Sequence, residues 1–172
     1  TRLLAGIAAV SLLVGGIERV YEIGRDFRNE GVDRTHNPEF TMMEFYWAYA
    51  NYTDLMDLTE QMLRELAIHI TGSAKVLYQG LEIDFGRPFE RLAVEQAVRR
   101  YDPALANSDL HDEQVLRTAC SERAIHTETG WGAGRLLMEL FDNAAEPKLS
   151  DPVFITSYPT EVSPLSRRND EN

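Results

Sequence analysis

Two runs of alternating residues flank a stretch dense in turn formers, which dictates a strand, a loop and a second strand. Glu18 to Phe27 reads ERVYEIGRDF, mixing β-branched and aromatic residues with charges. Asn29 to Pro38 reads NEGVDRTHNP and carries Gly31 and Pro38, so it is expected to be a loop. Side chains along a strand point alternately to its two sides. In the second strand Met43, Phe45, Trp47 and Tyr49 therefore share one face, and Phe40, Met42, Glu44 and Tyr46 share the other. The first set is expected to face a core. The second holds a carboxylate in apolar company, which is costly to bury unless something positive or hydrogen-bonding meets it.

Further along, Leu55, Leu58, Met62 and Leu66 recur at helical spacing, predicting a helix from Thr53 to Ile70 that Thr53 caps and Gly72 ends. Short strands are expected at Lys75–Tyr78 and Leu81–Phe85, joined by a Gln79-Gly80 turn. Helices follow at Ala93–Tyr101, Asp112–Arg123 and Gly132–Ala145, the last with Leu136, Leu137, Leu140 and Phe141 inward. VFITS at Val153–Ser157 is a strand, and the polar tail from Ser166 has no apolar periodicity.

Leu3 to Gly16 is an apolar run behind Arg2, too short for a bilayer, which needs about 20 residues. It reads as a buried core segment, with a signal remnant or a junction from an incomplete gene as the other readings. A single cysteine, Cys120, rules out an internal disulfide and fits a reducing, cytoplasmic setting. Seventeen basic against twenty-eight acidic residues give a net charge of −11, and the basic pairs Arg99-Arg100 and Arg167-Arg168 are too small for a nucleic-acid footprint.

For chemistry, the first hairpin stands out. Arg28 and Glu30 at the strand end, with His36 across the loop, supply a permanent cation, an acceptor and a titratable donor. Arg offers a planar fork for two phosphate oxygens; the same Arg-Glu pair also suits a surface salt bridge. Phe40 offers a ring to a flat heterocycle. Glu44 and Tyr46 put a carboxylate and a phenol on one strand face, which suits an ammonium group; a tyrosine packed beside a partly solvated glutamate is the plainer alternative. His69, His111 and His126 lack metal-ligand spacing, Cys120 reads as a buried inert thiol, and Gly130 to Gly134 lacks a phosphate-loop layout and reads as a turn entering a helix.

FRNEG at Phe27–Gly31 followed by HNPEFTMMEFYWAYANYTDLM at His36–Met56 resembles motif 2 of the class II lysyl-tRNA synthetases. ERVYEIGRDF leads into it as in that family, and TSYPTEVSPLSRRND at Thr156–Asp170 is similar to a later segment of bacterial members. The resemblance is collinear from about Gly15 to Asn172. It implies an α+β fold, with residues 1–172 forming part of a catalytic domain whose antiparallel six-stranded sheet is flanked by helices. Residues 15–60 would be the motif 2 hairpin and following helix, 86–150 a helical insertion, and 151–172 a return strand and tail.

The resemblance further implies ATP-dependent activation of lysine to lysyl-adenylate and its transfer to tRNA(Lys). Carried over by position, Arg28 is the catalytic residue, holding the α-phosphate and the lysine carboxylate. Glu30 contacts the adenine, His36 the γ-phosphate and Phe40 the adenine ring by stacking, with Asn37 also in the ATP set. Glu44 and Tyr46 recognise the lysine ε-ammonium. A cytoplasmic homodimer that uses ATP and Mg²⁺, away from membranes, goes with the family.

The sequence also departs from the family. Gly6 stands where members carry a glutamate twelve residues before the position of Glu18. Motif 1, the anticodon-binding barrel, the metal-binding glutamates, a further lysine-recognising glutamate and the motif 3 arginine have no counterpart, so the isolated chain is expected not to form adenylate at a useful rate. Two other readings are a lysine ligase paralogue that modifies elongation factor P, which EFYWAY disfavours, and a non-catalytic remnant that binds a nucleotide or a partner.

Overall fold

The computed structural model describes residues 2–29, 31, 36–166 and 168, with backbone alone at 2–7. The chain divides into two compact units, 1–55 and 56–172.

The first unit opens with helix α1 (Arg2–Val14). A Schellman turn ends it: Gly16, at φ +96°, donates to Leu13 O and Ile17 to Leu12 O, both at 3.0 Å. Strands β1 (Arg19–Phe27) and β2 (Glu39–Trp47) form an antiparallel pair against which α1 lies. The core-segment expectation for the apolar run needs correction. Ala9 is buried, yet Val10, Leu12 and Val14 stand exposed, because the described residues of this unit put no second layer over them.

Helix α2 (Tyr52–Thr71) contains the unit boundary. Its cap is Asn51 rather than Thr53: the Asn51 Oδ1 accepts from Thr53 N (2.8 Å) and Asp54 N (3.3 Å), while Asp54 returns a carboxylate to Asn51 N (2.7 Å). Gly72, at φ +79°, ends the helix as expected. Leu66 is exposed, against the periodicity-based expectation.

In the second unit, α2's polar side does structural work. Glu60 accepts from Phe89 N (2.9 Å) and pairs with Arg64 (2.6 Å), whose Nε donates to Phe85 O (3.0 Å), so 85–89 is fastened to the helix. Between them β3 (Lys75–Tyr78) and β4 (Leu81–Asp84) form a hairpin. Gln79 and Gly80 both have positive φ, as a primed two-residue turn demands.

Strand β5 (Glu90–Ala93) escaped the sequence reading. It pairs in parallel with β6 (Val153–Thr156), and everything between them is the crossover that parallel strands need. The described strands thus pair two by two, in two antiparallel sheets and one parallel one.

The crossover holds α3 (Val94–Tyr101), α4 (Glu113–Glu122), capped by Asp112, and α5 (Ala133–Leu140). The predicted last helix runs on to Ala145, its final stretch, Phe141–Ala145, being a π-helical turn. Leu92, Val98, Leu110, Leu116, Leu136 and Leu140 make the centre of the core, with the Cys120 thiol buried among them. Burial pushes that thiol's pKa up, so it is not a ready nucleophile.

Arginines close the loops of this core. Arg117 pairs with Glu113 (2.8 Å) and donates to the carbonyls of Glu128, Thr129 and Trp131. Arg99 takes those of Leu105, Ala106 and Ser108, and Arg100 binds Glu90 through two 2.7 Å bonds. Asp102 is buried with Arg123 (2.5 Å), whose guanidinium holds its carboxyl below the ordinary carboxylate range. A group depressed in the folded state adds stability above its unfolded pKa of about 4 and loses it as pH falls through the folded value. Asp102→Asn is therefore expected to flatten the acid limb of the urea midpoint, measured from about pH 5 downward.

Glu161, after β6, reaches back to the start of α5, accepting from Gly132 N (2.9 Å) and Arg135 N (3.2 Å). A Cβ on Gly134 would lie 2.9 Å from Pro159 Cβ and 3.0 Å from the Glu161 carboxylate. Helix propensity alone makes Gly134→Ala stabilising by about 1 kcal/mol, while overpacking costs about 1–3 kcal/mol. The clash should win, and chemical denaturation of the variant is expected to show a net loss; a gain would mean that the Glu161 segment moves aside freely.

Candidate functional site

Residues directly opposite in an antiparallel pair project to the same side. The ladder runs Val20↔Tyr46, Glu22↔Glu44, Gly24↔Met42 and Asp26↔Phe40 on one face, and it is continued by Arg28 N, which donates to Pro38 O at 2.9 Å. Arg28 is thereby brought to the face that carries Phe40, Glu44 and Tyr46. Its guanidinium carbon lies over the Phe40 ring, 5.4 Å from the centroid. Phe40, Glu44 and Tyr46 are half-buried. At about 3.4 Å per residue the ring and the Glu44 carboxylate are roughly 14 Å apart along the strand.

His36 and Asn37 are exposed in the approach to β2. Glu30 lies outside the described residues. Three residues of this face were missed when the sequence was read alone, namely Glu22, Gly24 and Asp26. Fixing one cross-strand pair would have found them, because register then assigns every opposite residue.

On the opposite face Phe45 and Trp47 are half-buried, and the core expectation is corrected for Met43 and Tyr49. Met43 is 39% exposed, and Tyr49, past the strand end at φ +64°, is 102% exposed. Their neighbours Tyr21, Ile23 and Phe27 are exposed as well. Here the hairpin is held by Arg19 over the Trp47 ring (4.0 Å) and by the exposed Arg25–Glu39 pair (3.0 Å).

Elsewhere the chemistry is thinner. A cavity of about 330 Å³ in the second unit is lined by Leu63, Phe85, Phe89 and Phe154 with little polar company beyond Ser150 and Asp151. Among the described residues no group of His, Cys, Asp or Glu could hold a metal ion, and no helix is long and apolar enough to cross a membrane.

A guanidinium and a ring at one end of a strand face, with a carboxylate and a phenol at the other, suit a ligand with a phosphorylated base and a cationic tail. That pairing has a family. The chain belongs to the class II tRNA synthetases, for the family model of the D, K and N enzymes matches residues 10–172. Within that family it is similar to lysine–tRNA ligases. The enzyme of Chromohalobacter salexigens is 52% identical over 161 residues, and those of Idiomarina loihiensis and Escherichia coli are 51% and 50% identical over the same length. These alignments cover 94% of this chain and 32% of each relative, so the chain spans about a third of the length of the curated relatives it matches.

The uncovered apolar face carries its own expectation. Ile23→Thr with Phe27→Thr keeps a β-branched residue at 23 and removes two large exposed apolar groups. Sedimentation velocity at rising concentration should show less self-association than wild type, with the β-sheet signal in circular dichroism retained.

Proposed function

We propose that this chain carries part of the ATP and lysine site of a lysine–tRNA ligase, which activates lysine to lysyl-adenylate and transfers it to tRNA(Lys). The carrying observation is the identity of 50–52% to enzymes of that name across 94% of the chain. The hairpin geometry supports it, because one strand face gathers Arg28, Phe40, Glu44 and Tyr46.

On this reading Phe40 stacks on adenine, with Glu30, His36 and Asn37 completing the nucleotide contacts. Glu44 and Tyr46 hold the ε-ammonium by charge and hydrogen bond. The lysine carboxylate attacks the α-phosphorus, the new C–O–P bond forms, and pyrophosphate leaves with the electron pair of the broken P–O bond. Arg28 neutralises charge on the α-phosphate and holds the attacking carboxylate, which is electrostatic and positional catalysis. The Mg²⁺ of the family finds no ligand set among the described residues, and no step here runs through it. A homodimer and a cytoplasmic setting belong to the same reading.

Charge-assisted hydrogen bonds are worth roughly 1.5–3 kcal/mol, so Glu44→Gln should weaken lysine binding by about tenfold or more and leave ATP binding unchanged. Calorimetric titration with lysine, norleucine and ATP measures both. Equal affinity of wild type for lysine and norleucine would remove the ammonium site.

A further inference from the structure

The cavity of the second unit has walls that are held by bonds outside it. Glu60 of α2 accepts from Phe89 N (2.9 Å) and Arg64 donates to Phe85 O (3.0 Å), so the two phenylalanines that line the cavity are anchored to the helix that supplies Leu63. Phe154 is held by the pairing of β6 with β5. The rings meet in tilted pairs, Phe85 with Phe89 at 6.1 Å between centroids and Phe89 with Phe154 at 5.6 Å. Rings already ordered in this way spare a ligand the cost of ordering them.

One lining group is charged. Asp151 is exposed, lines the cavity beside Ser150, and among the described residues no hydrogen bond or ion pair engages its carboxylate. The basic residues near the walls in sequence are engaged elsewhere. Arg64 pairs with Glu60 (2.6 Å), Arg87 with Asp84 (3.2 Å) and Arg91 with Asp57, while Lys148 donates to Tyr101 O (2.6 Å). The carboxylate is left for a cation from outside.

We propose that this cavity binds a small aryl-alkyl amine, its apolar body among the three phenylalanines and its ammonium on Asp151. The volume of about 330 Å³ lies at the low end of the roughly 300–1,000 Å³ of small-molecule pockets, which fits one ring on a short chain. An acid of the same shape meets a like charge at Asp151, and an alcohol meets no opposite one, so selectivity among the three falls on that carboxylate. The site is independent of the function proposed for the hairpin.

Phenethylamine, phenethyl alcohol and hydrocinnamate share a ring and a short chain and differ in charge. They are titrated into the whole chain near neutral pH and at constant ionic strength, with the methyl resonances of Leu63 and Ile83 followed by NMR. The amine should bind best and the acid worst. An exposed ion pair is worth a factor of about 1.5–5, which is the lead expected of the amine over the alcohol. Asp151→Asn, at an exposed position, should erase that lead and leave the affinity for the alcohol as in wild type. Methyl resonances that stay in place up to the solubility limit of the amine would show that the cavity takes no such ligand. An amine that keeps its lead in Asp151→Asn is drawn by the net charge of −11 rather than by this carboxylate, and that result overturns the site as well.

Discussion

The bond from Arg28 N to Pro38 O sets what the first hairpin can do. A strand's side-chain period is two, so registers one residue apart are opposites. With Arg28 across from Pro38, Asp26 meets Phe40 and Glu22 meets Glu44. A slip by one would send Phe40, Glu44 and Tyr46 to the side away from Arg28. Pro38 suits this place because its carbonyl accepts while its ring nitrogen has no proton to offer the ladder.

The two faces of that hairpin divide the work. On the far side lie the stabilising pairs, Arg19 over Trp47 and Arg25 with Glu39. The near side sets Glu22 directly opposite Glu44, an arrangement of like charges that works against strand pairing. The far face thus adds contacts of its own to a nine-residue pair whose near face carries the candidate site.

Local signals carried most of the fold. Asn51 to Gly72 announces α2 by its periodicity and its terminal glycine, and Gln79-Gly80 announces a tight turn. What stayed hidden is non-local. Strand β5 is four residues long, and its partner begins at Val153. The Glu161 bond to the start of α5 spans 29 residues to Gly132, and nothing near either residue hints at the other. At the site, the alternation placed Phe40, Glu44 and Tyr46 on one face correctly. It misjudged Met43 and Tyr49, because alternation tells which residues share a side and is silent on whether anything covers that side.

In a chain of net charge −11, what an arginine is tethered to decides whether it is free for a phosphate. Arg100, Arg117, Arg123 and Arg135 are each bound to a carboxylate at 2.8 Å or less. Leaving such a partner strands an anion beside the incoming phosphates, a repulsion added to the loss of the bond. Phe40, over whose ring the Arg28 guanidinium lies, is neutral, so that contact sets no anion of its own beside an incoming phosphate.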